Sequence, residues 1–217
     1  MTIVCRRARR GMAGSRCAVA LAATLLLSAC SVLPKAAPVD TYLLPGAPER
    51  TTTAGTPLAV SLRVAKPASG VHLAGQRIVV MPQNNQVSVY QGASWSEPAP
   101  VLVRDRLIDA LRADGRIAAL SSDEARLQAD YEIVSDLRAF QSEYRGGVAQ
   151  AVVRLDARLV ERDGRRILAS RTFESEAHAS SADIPAVVNA FGAASTRLAS
   201  ELATWTVEEI RRGPPRQ

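Results

Sequence analysis

The chain has 217 residues, with 27 Lys and Arg against 21 Asp and Glu and a formal net charge of +6. The excess is local: Arg6, Arg7, Arg9, Arg10 and Arg16 precede every acid, and without these five the count is 22 basic against 21 acidic side chains, near +1. A balance this even removes the main argument for nucleic acid as a partner, because a polyanion is held through a basic excess.

The arginines are followed by an uncharged run rich in Leu and Ala over residues 17–29, which is the order of regions in an export signal. A transmembrane helix needs about 20 apolar residues, and Pro34 and Lys35 close off a shorter run. Residues 1–29 therefore read as a signal peptide that is removed. The run ends in Leu27-Ser28-Ala29-Cys30, which resembles the lipobox of bacterial lipoproteins. Small side chains fit a peptidase cleft, and the thiol supplies the sulfur of a diacylglycerol thioether. Cleavage between Ala29 and Cys30 would leave 188 of the 217 residues, ample for one domain. An acyl chain contributes about 0.8 kcal/mol per buried CH₂, so the three chains that the resemblance implies on Cys30 make a permanent anchor. Ser31 stands where an aspartate would be the familiar inner-membrane retention signal, which favours the outer membrane. Cys5 and Cys17 leave with the signal, so no intramolecular disulfide forms and the fold must hold by its core alone.

Residues 30–40 read as the acylated N-terminus and a Pro/Ala/Ser tether, 41–210 as a single domain, and 211–217 as a basic, proline-containing tail. A short extended segment at 41–45 leads into a Gly/Thr/Pro-rich loop over 46–57. Over 58–64, Leu58, Val60, Leu62 and Val64 alternate with Ala59, Ser61 and Arg63, the period of a half-buried strand. Residues 77–81 form a second strand stopped by Pro82, and Asn84-Asn85 turns the chain into 87–90 as a hairpin. Beyond Trp95, Pro98 and Pro100 open an amphipathic helix over 99–113. It carries Val101, Leu107, Ile108 and Leu111 on one side and Arg104, Asp105 and Arg112 on the other, and it ends before Gly115.

The middle of the chain is a β region. Tyr131, Ile133, Leu137 and Ala139 alternate with polar residues, and Val153, Leu155, Ala157 and Leu159 do the same. Asp163-Gly164 is a favoured pair for a two-residue type I′ turn, in which both central residues take positive φ. The third strand, about 166–177, is less regular and reads as an edge. The last element, 184–210, places Ile184, Val187, Val188, Phe191, Leu198, Leu202 and Trp205 at helical spacing. Asp183 fits its N-cap, Pro185 its first turn, and Gly213-Pro214-Pro215 its stop. The fold class is α+β: a mostly antiparallel sheet, one inserted amphipathic helix, and a long C-terminal helix packed on one face.

Catalytic equipment is sparse. His72 and His178 lie far apart, neither followed at helical spacing by a second ligand, and no HExxH, GxSxG or phosphate-cradling glycine loop occurs. The chain reads as a non-enzyme with no catalytic residue, no metal site and no cofactor. Asp130, Glu132 and Asp136 share one face of a strand and read as its water-facing side. Arg162, Arg165 and Arg166 crowd positive charge at a hairpin tip, either to touch anionic headgroups or an acidic partner, or as the ordinary charge of an exposed turn. Tyr90 and Trp95 are open to two readings, partner anchors or core over the first helix. Trp205 reads as core.

Several phrases occur in a familiar order after Cys30. They are Tyr42-Leu43-Leu44, Ile78-Val79-Val80, Val87-Ser88-Val89-Tyr90, Trp95-Ser96-Glu97-Pro98, Leu107 and Leu111 ahead of Gly115, and Glu201-Leu202 with Trp205. In this order the chain resembles the ABC-type transport auxiliary lipoproteins, the PqiC-like group, over about residues 41–205. The resemblance implies a periplasmic α+β domain anchored at the outer membrane. Its partners would be an inner-membrane ABC permease and ATPase and an MCE-domain protein that bridges the envelope, together moving phospholipid or another hydrophobic molecule. It also admits homo-oligomers, built through the terminal helix or an exposed strand edge. The loop 46–57 and the segment 66–75 match no family phrase, which leaves partner identity open. A second reading, an assembly or regulatory lipoprotein of another envelope machine, shares the same tether and fold class.

Overall fold

A computed structural model of the chain describes residues 38–46, 56–83, 85–163 and 165–213. The expectations for the signal segment, for Cys30 and most of the tether, and for the prolines of the tail lie outside the described residues. In chain order the strands are β1 (Asp40–Tyr42), β2 (Leu58–Val64), β3 (Ala68–Ser69), β4 (Arg77–Gln83) and β5 (Gln86–Trp95). Helix α1 (Ala99–Asp114) follows, then β6 (Ile117–Ser122), β7 (Tyr131–Arg145), β8 (Val148–Glu161), β9 (Arg166–His178) and helix α2 (Ile184–Arg212).

The sheet is organised around β7. One edge of β7 pairs antiparallel with β8 along its whole length, and β8 pairs antiparallel with β9, which is an edge as expected. The other edge takes three short parallel partners in turn. These are β2 at Tyr131, Glu132 and Ile133, β3 at Asp136 and Leu137, and β4 at Gln141, Ser142 and Glu143. Beyond β2 lies β6, and beyond β4 lie β5 and then β1. The β7–β8–β9 ladders and the β4–β5 hairpin are antiparallel, and the remaining pairings are parallel. The α+β reading holds, with the parallel pairings added as a feature of a mixed sheet.

Strand β7 is longer than its alternation suggests because a bulge lies between Leu137 and Ala139. The bulge shifts the apolar period by one residue. Ile133, Ser135 and Leu137 before it therefore share a face with Phe140 and Ser142 after it, as their partners Leu159, Ala157, Leu155, Val153 and Ala151 show. The turn that follows is Gly146-Gly147, with φ of 60° and 81°. Two positive φ angles are the requirement of the type I′ hairpin, whose twist matches that of the strands. At the other tip, positive φ falls on Arg165 (47°) and not on Asp163, so the type I′ expectation is corrected there.

Helix α2 lies over the inner face of β8 and β9, with α1 beside it. Val187, Phe191, Leu198, Leu202 and Val207 of α2 are buried, as are Leu107 and Leu111 of α1 and Phe140, Leu155 and Phe173 of the sheet. Helix α1 ends as expected: Gly115 takes φ 74° and its N–H bonds to the Leu111 carbonyl, a left-handed cap that suits glycine. Helix α2 starts at Ile184 behind Asp183 and has proline in its first turn. One expectation for α1 is corrected: Arg104, placed on the solvent side, is buried. The 3₁₀ turn Asp123–Ala125 brings carboxylates to it, and Arg104 donates to Glu124 at 2.6 Å and to Asp105 at 2.9 Å.

Candidate functional site

The start of the domain is tied down by a residue that no motif announces. Arg106 of α1 is buried, and its Nη2 donates to the carbonyls of Leu44 (3.0 Å) and Pro45 (2.8 Å), while Nη1 donates to Thr196 Oγ1 of α2. Burial, only partly offset by the charge of Asp109, lowers its pKa from the ordinary guanidinium value. Pro45 rests directly on α2 at Gly192, where a Cβ would stand 2.5 Å from the Pro45 carbonyl oxygen. The Tyr42 carbonyl accepts from the Ser96 N–H at 2.8 Å. The segment from Tyr42 to Pro45 is thus clamped to both helices and, through β1, to β5. An open groove of about 560 Å³ lies alongside, lined by Pro45, Gly46, Asn189, Gly192, Ala193 and Thr196.

The five contact candidates do not form one site. Trp95 is 1% exposed and is enclosed by Phe140 and Phe191, with ring centroids 5.7 Å and 5.3 Å away. Of its two readings the structure decides for core, and its place among the contact residues is corrected: a ring closed in on both sides has no surface for a partner. Trp205 is core as read, edge-on to Phe173 at 5.5 Å. Tyr90 is half-buried and donates to Ser142 Oγ at 3.1 Å, and burial pushes its hydroxyl up to about 12. The arginines lie at the opposite end of the sheet. Arg162 bonds Glu132 at 3.0 Å, Arg166 bonds Glu161 at 3.1 Å, and Arg165 is exposed on the turn.

Alternate side chains of β7, β8 and β9 face away from the helices and form a lattice of ion pairs. Glu132 is shared by Arg162 and Arg63, Arg158 bonds Asp136 at 2.7 Å, and Arg145 bonds Glu176 at 3.1 Å. Asp156 accepts from Arg138 at 2.6 Å and from Thr172 at 2.7 Å. The Arg138 bond, then the Thr172 bond, holds the Asp156 carboxyl below its ordinary range, and the Arg154 bond does the same for Glu174. Asp130 is lowered by the backbone N–H and then the hydroxyl of Ser61, each 2.7 Å away. Asp130, Glu132 and Asp136 are thus each engaged, Asp130 by Ser61, Glu132 by Arg63 and Arg162, and Asp136 by Arg158. Exposed pairs contribute about 0–1 kcal/mol each. The lattice fixes a pattern of charge more than it stabilises the fold.

Among the described residues no group of three His, Cys, Asp or Glu side chains could hold a metal ion, and His72 and His178 are separately exposed. No described helix is long and apolar enough to cross a membrane. What the geometry offers is an entry clamp, a fixed charge pattern on a bare sheet face, and two exposed hairpin ends.

The family described as ABC-type transport auxiliary lipoprotein component matches residues 42–203. An uncharacterized protein of Bradyrhizobium diazoefficiens is 32% identical over 161 residues, which is 74% of this chain and 43% of that protein. The chain thus spans less than half the length of that curated relative. A crystal structure of a Xanthomonas campestris protein superposes with a TM-score of 0.74 at 32% identity, covering 80% of this chain and 98% of that one. A second crystal structure, of an uncharacterized protein, shares the fold at 16% identity and a TM-score of 0.61, covering 77% and 98%. The family match opens at Tyr42, the residue at which the entry clamp begins, and runs on through α1 and the meander into α2: the chain belongs to the ABC-type transport auxiliary lipoprotein components.

Proposed function

We propose that this chain is a non-catalytic, lipid-anchored component of an ABC-type system that moves lipid or another hydrophobic solute between the two membranes of the envelope. Its partners are an MCE-domain protein that crosses the periplasm and the permease and ATPase of the same system. Its task is to hold the periplasm-spanning component at the periplasmic face of the outer membrane. In this reading residues 1–29 are removed, Cys30 is acylated, 31–40 form the tether, 41–210 the domain and 211–217 the tail.

The observation that carries the reading is the pairing of a lipobox, Leu27-Ser28-Ala29-Cys30, with a family match that begins twelve residues later at Tyr42. The clamp of Arg106 on Leu44 and Pro45 makes mechanical sense of that spacing, since a load on the tether is passed to both helices. The arginine tip at Arg162 and Arg165, with the ion-pair lattice beside it, is the proposed partner contact. Electrostatic patterns of this kind set specificity and on-rate more than raw affinity.

The test is a tagged chain recovered from crosslinked envelope. Recovery of the MCE protein with it, lost on Arg162→Glu/Arg165→Glu, is the expected result. Recovery of an outer-membrane assembly or peptidoglycan-synthesis machine in its place would overturn the reading. So would a mature N-terminus that mass spectrometry finds elsewhere than at acylated Cys30.

A further inference from the structure

The two ends of the β7–β8–β9 meander differ in charge. At one end the β4–β5 tip stands beside the β7–β8 tip, because β4 pairs with β7 up to Met81 facing Glu143. Residues 83–87 carry no charge, and residues 144–148 carry one, Arg145, which is bonded to Glu143 and Glu176. Three apolar or aromatic side chains stand out there, Val87 (52% exposed), Val148 (48%) and Tyr144 (37%). At the other end are Glu161, Arg162, Asp163, Arg165 and Arg166 at the tip, with the Arg116–Asp114 pair and Arg211 near the start of β2.

The strand register says which end the anchored chain comes from. Strand β1 runs parallel to β5, with Thr41 facing Ser94, so the chain followed backwards from Asp40 heads toward the Gln86 end of β5. Ser94 faces Arg77 and Gln86 faces Gln83, so about six residues of β4, roughly 20 Å, separate the level of Thr41 from the uncharged tips. The eleven residues from Cys30 to Thr41 reach at most about 36–40 Å. An acylated Cys30 therefore reaches past the tips with length to spare. The arginine tip lies the other way, beyond the Tyr131 end of β7, and a tether serving it would have to double back by roughly 26 Å first.

We propose that the paired tips of β4–β5 and β7–β8 are the bilayer-contacting end of the molecule. Val87 and Val148 enter the boundary between headgroups and acyl chains, and Tyr144 sits at headgroup level, where an aromatic ring with a polar edge is favoured. The domain then stands upright on the membrane, and the arginine tip points into the periplasm. This rests on the acylation of Cys30 proposed above, and the experiment separates the two.

The full acylated chain is reconstituted in vesicles of phosphatidylethanolamine and phosphatidylglycerol with brominated acyl chains. An environment-sensitive fluorophore is placed on Val148→Cys, on Val87→Cys, or on Ile167→Cys, the last being an exposed position next to the arginine tip. Flotation with the vesicles reports the anchor; quenching reports the orientation. The expected result is flotation of all three, with quenching at 148 and 87 several-fold stronger than at 167. A chain that floats but is quenched equally at all three positions, most strongly at 167, or at none, overturns the orientation and leaves the anchor standing. A chain that does not float takes down the anchor and the orientation together.

Discussion

The inner and outer faces of β7, β8 and β9 are written in the same strands, residue by residue in alternation, yet they are held by different forces. On the inner face Phe140 faces Val153 and Leu155 faces Phe173, all buried under α2 and its neighbours. On the outer face Arg154 faces Glu174 and Asp156 faces Thr172, in ion pairs and hydrogen bonds open to water. Burying a large apolar side chain stabilises by about 1.5–3 kcal/mol, whereas an exposed ion pair contributes about 0–1 kcal/mol. The lesson is a division of labour: the inner face makes the fold, and the outer face is free to be shaped for contact.

The sharpest way to break this comparison is to hollow out the inner face. Phe140→Ala removes the ring between Trp95 and Phe191, and a loss of about 3–5 kcal/mol is expected in denaturant unfolding. A loss under about 1 kcal/mol would mean that the inner face is not the core. Gly192→Val comes next, since any side chain meets the Pro45 carbonyl. A cost of about 1–3 kcal/mol is expected, and hydrogen exchange should show faster exchange of the Ser96 N–H, which is bonded to the Tyr42 carbonyl at the head of the clamped segment.

The tips that join the two faces give effects of opposite sign. Gly147→Val forces a β-branched residue to φ 81° and should cost about 1–2 kcal/mol. Arg165→Gly relieves a non-glycine residue at φ 47°, a strain of about 1–2 kcal/mol, against the about 0.5–1 kcal/mol that glycine's backbone freedom costs, and a net gain of up to about 1 kcal/mol in thermal unfolding is expected. The smallest effect belongs to the outer face. Arg158→Ala should shift stability by less than about 1 kcal/mol, and less again in high salt. Reversal of Arg154 and Arg158 to Glu should nevertheless weaken recovery of the partner if this face is a docking surface.

Acid sharpens the same contrast. Asp156 and Glu174 are held below their ordinary values of 3.8 and 4.5 by arginine. A carboxylate whose folded pKa is depressed contributes stability above its unfolded pKa and loses it as pH falls through the folded value. Stability should therefore decline below about pH 4, and Asp156→Asn should flatten part of that decline. An unchanged acid limb in the variant would show that the outer lattice does not couple to folding.

Much of the fold is legible in the chain because it is written locally. The alternation in 58–64, the proline entry and glycine exit of α1, and the apolar stripe of α2 each follow from spacing of two or of 3.6 residues, and each element lies where its pattern puts it. Strands β3 and β6 were not legible. Ala68-Ser69 is too short to show a period, and in Ile117–Ser122 small and polar residues mask it. The bulge after Leu137 hid the second half of β7 for a related reason, since a one-residue slip reverses the alternation. At the candidate site, the charge of the arginine tip was readable, but the type of its turn was not, and Gly146-Gly147 was the pair with type I′ geometry.

By itself, then, the amino-acid order determined the α+β class, the positions of most elements, the lipobox expectation and the family phrases, all of which reside in residues close along the chain. Only the tertiary structure decided that Trp95 is core, that Arg104 and Arg106 are buried, and that β7 collects three parallel partners on one edge. The physical reason is separation: Arg106 meets Thr196 and Leu44 across 90 and 62 residues. Whether a guanidinium ends in water or beneath two helices depends on which distant carbonyls the packing brings to it, and no local period carries that information.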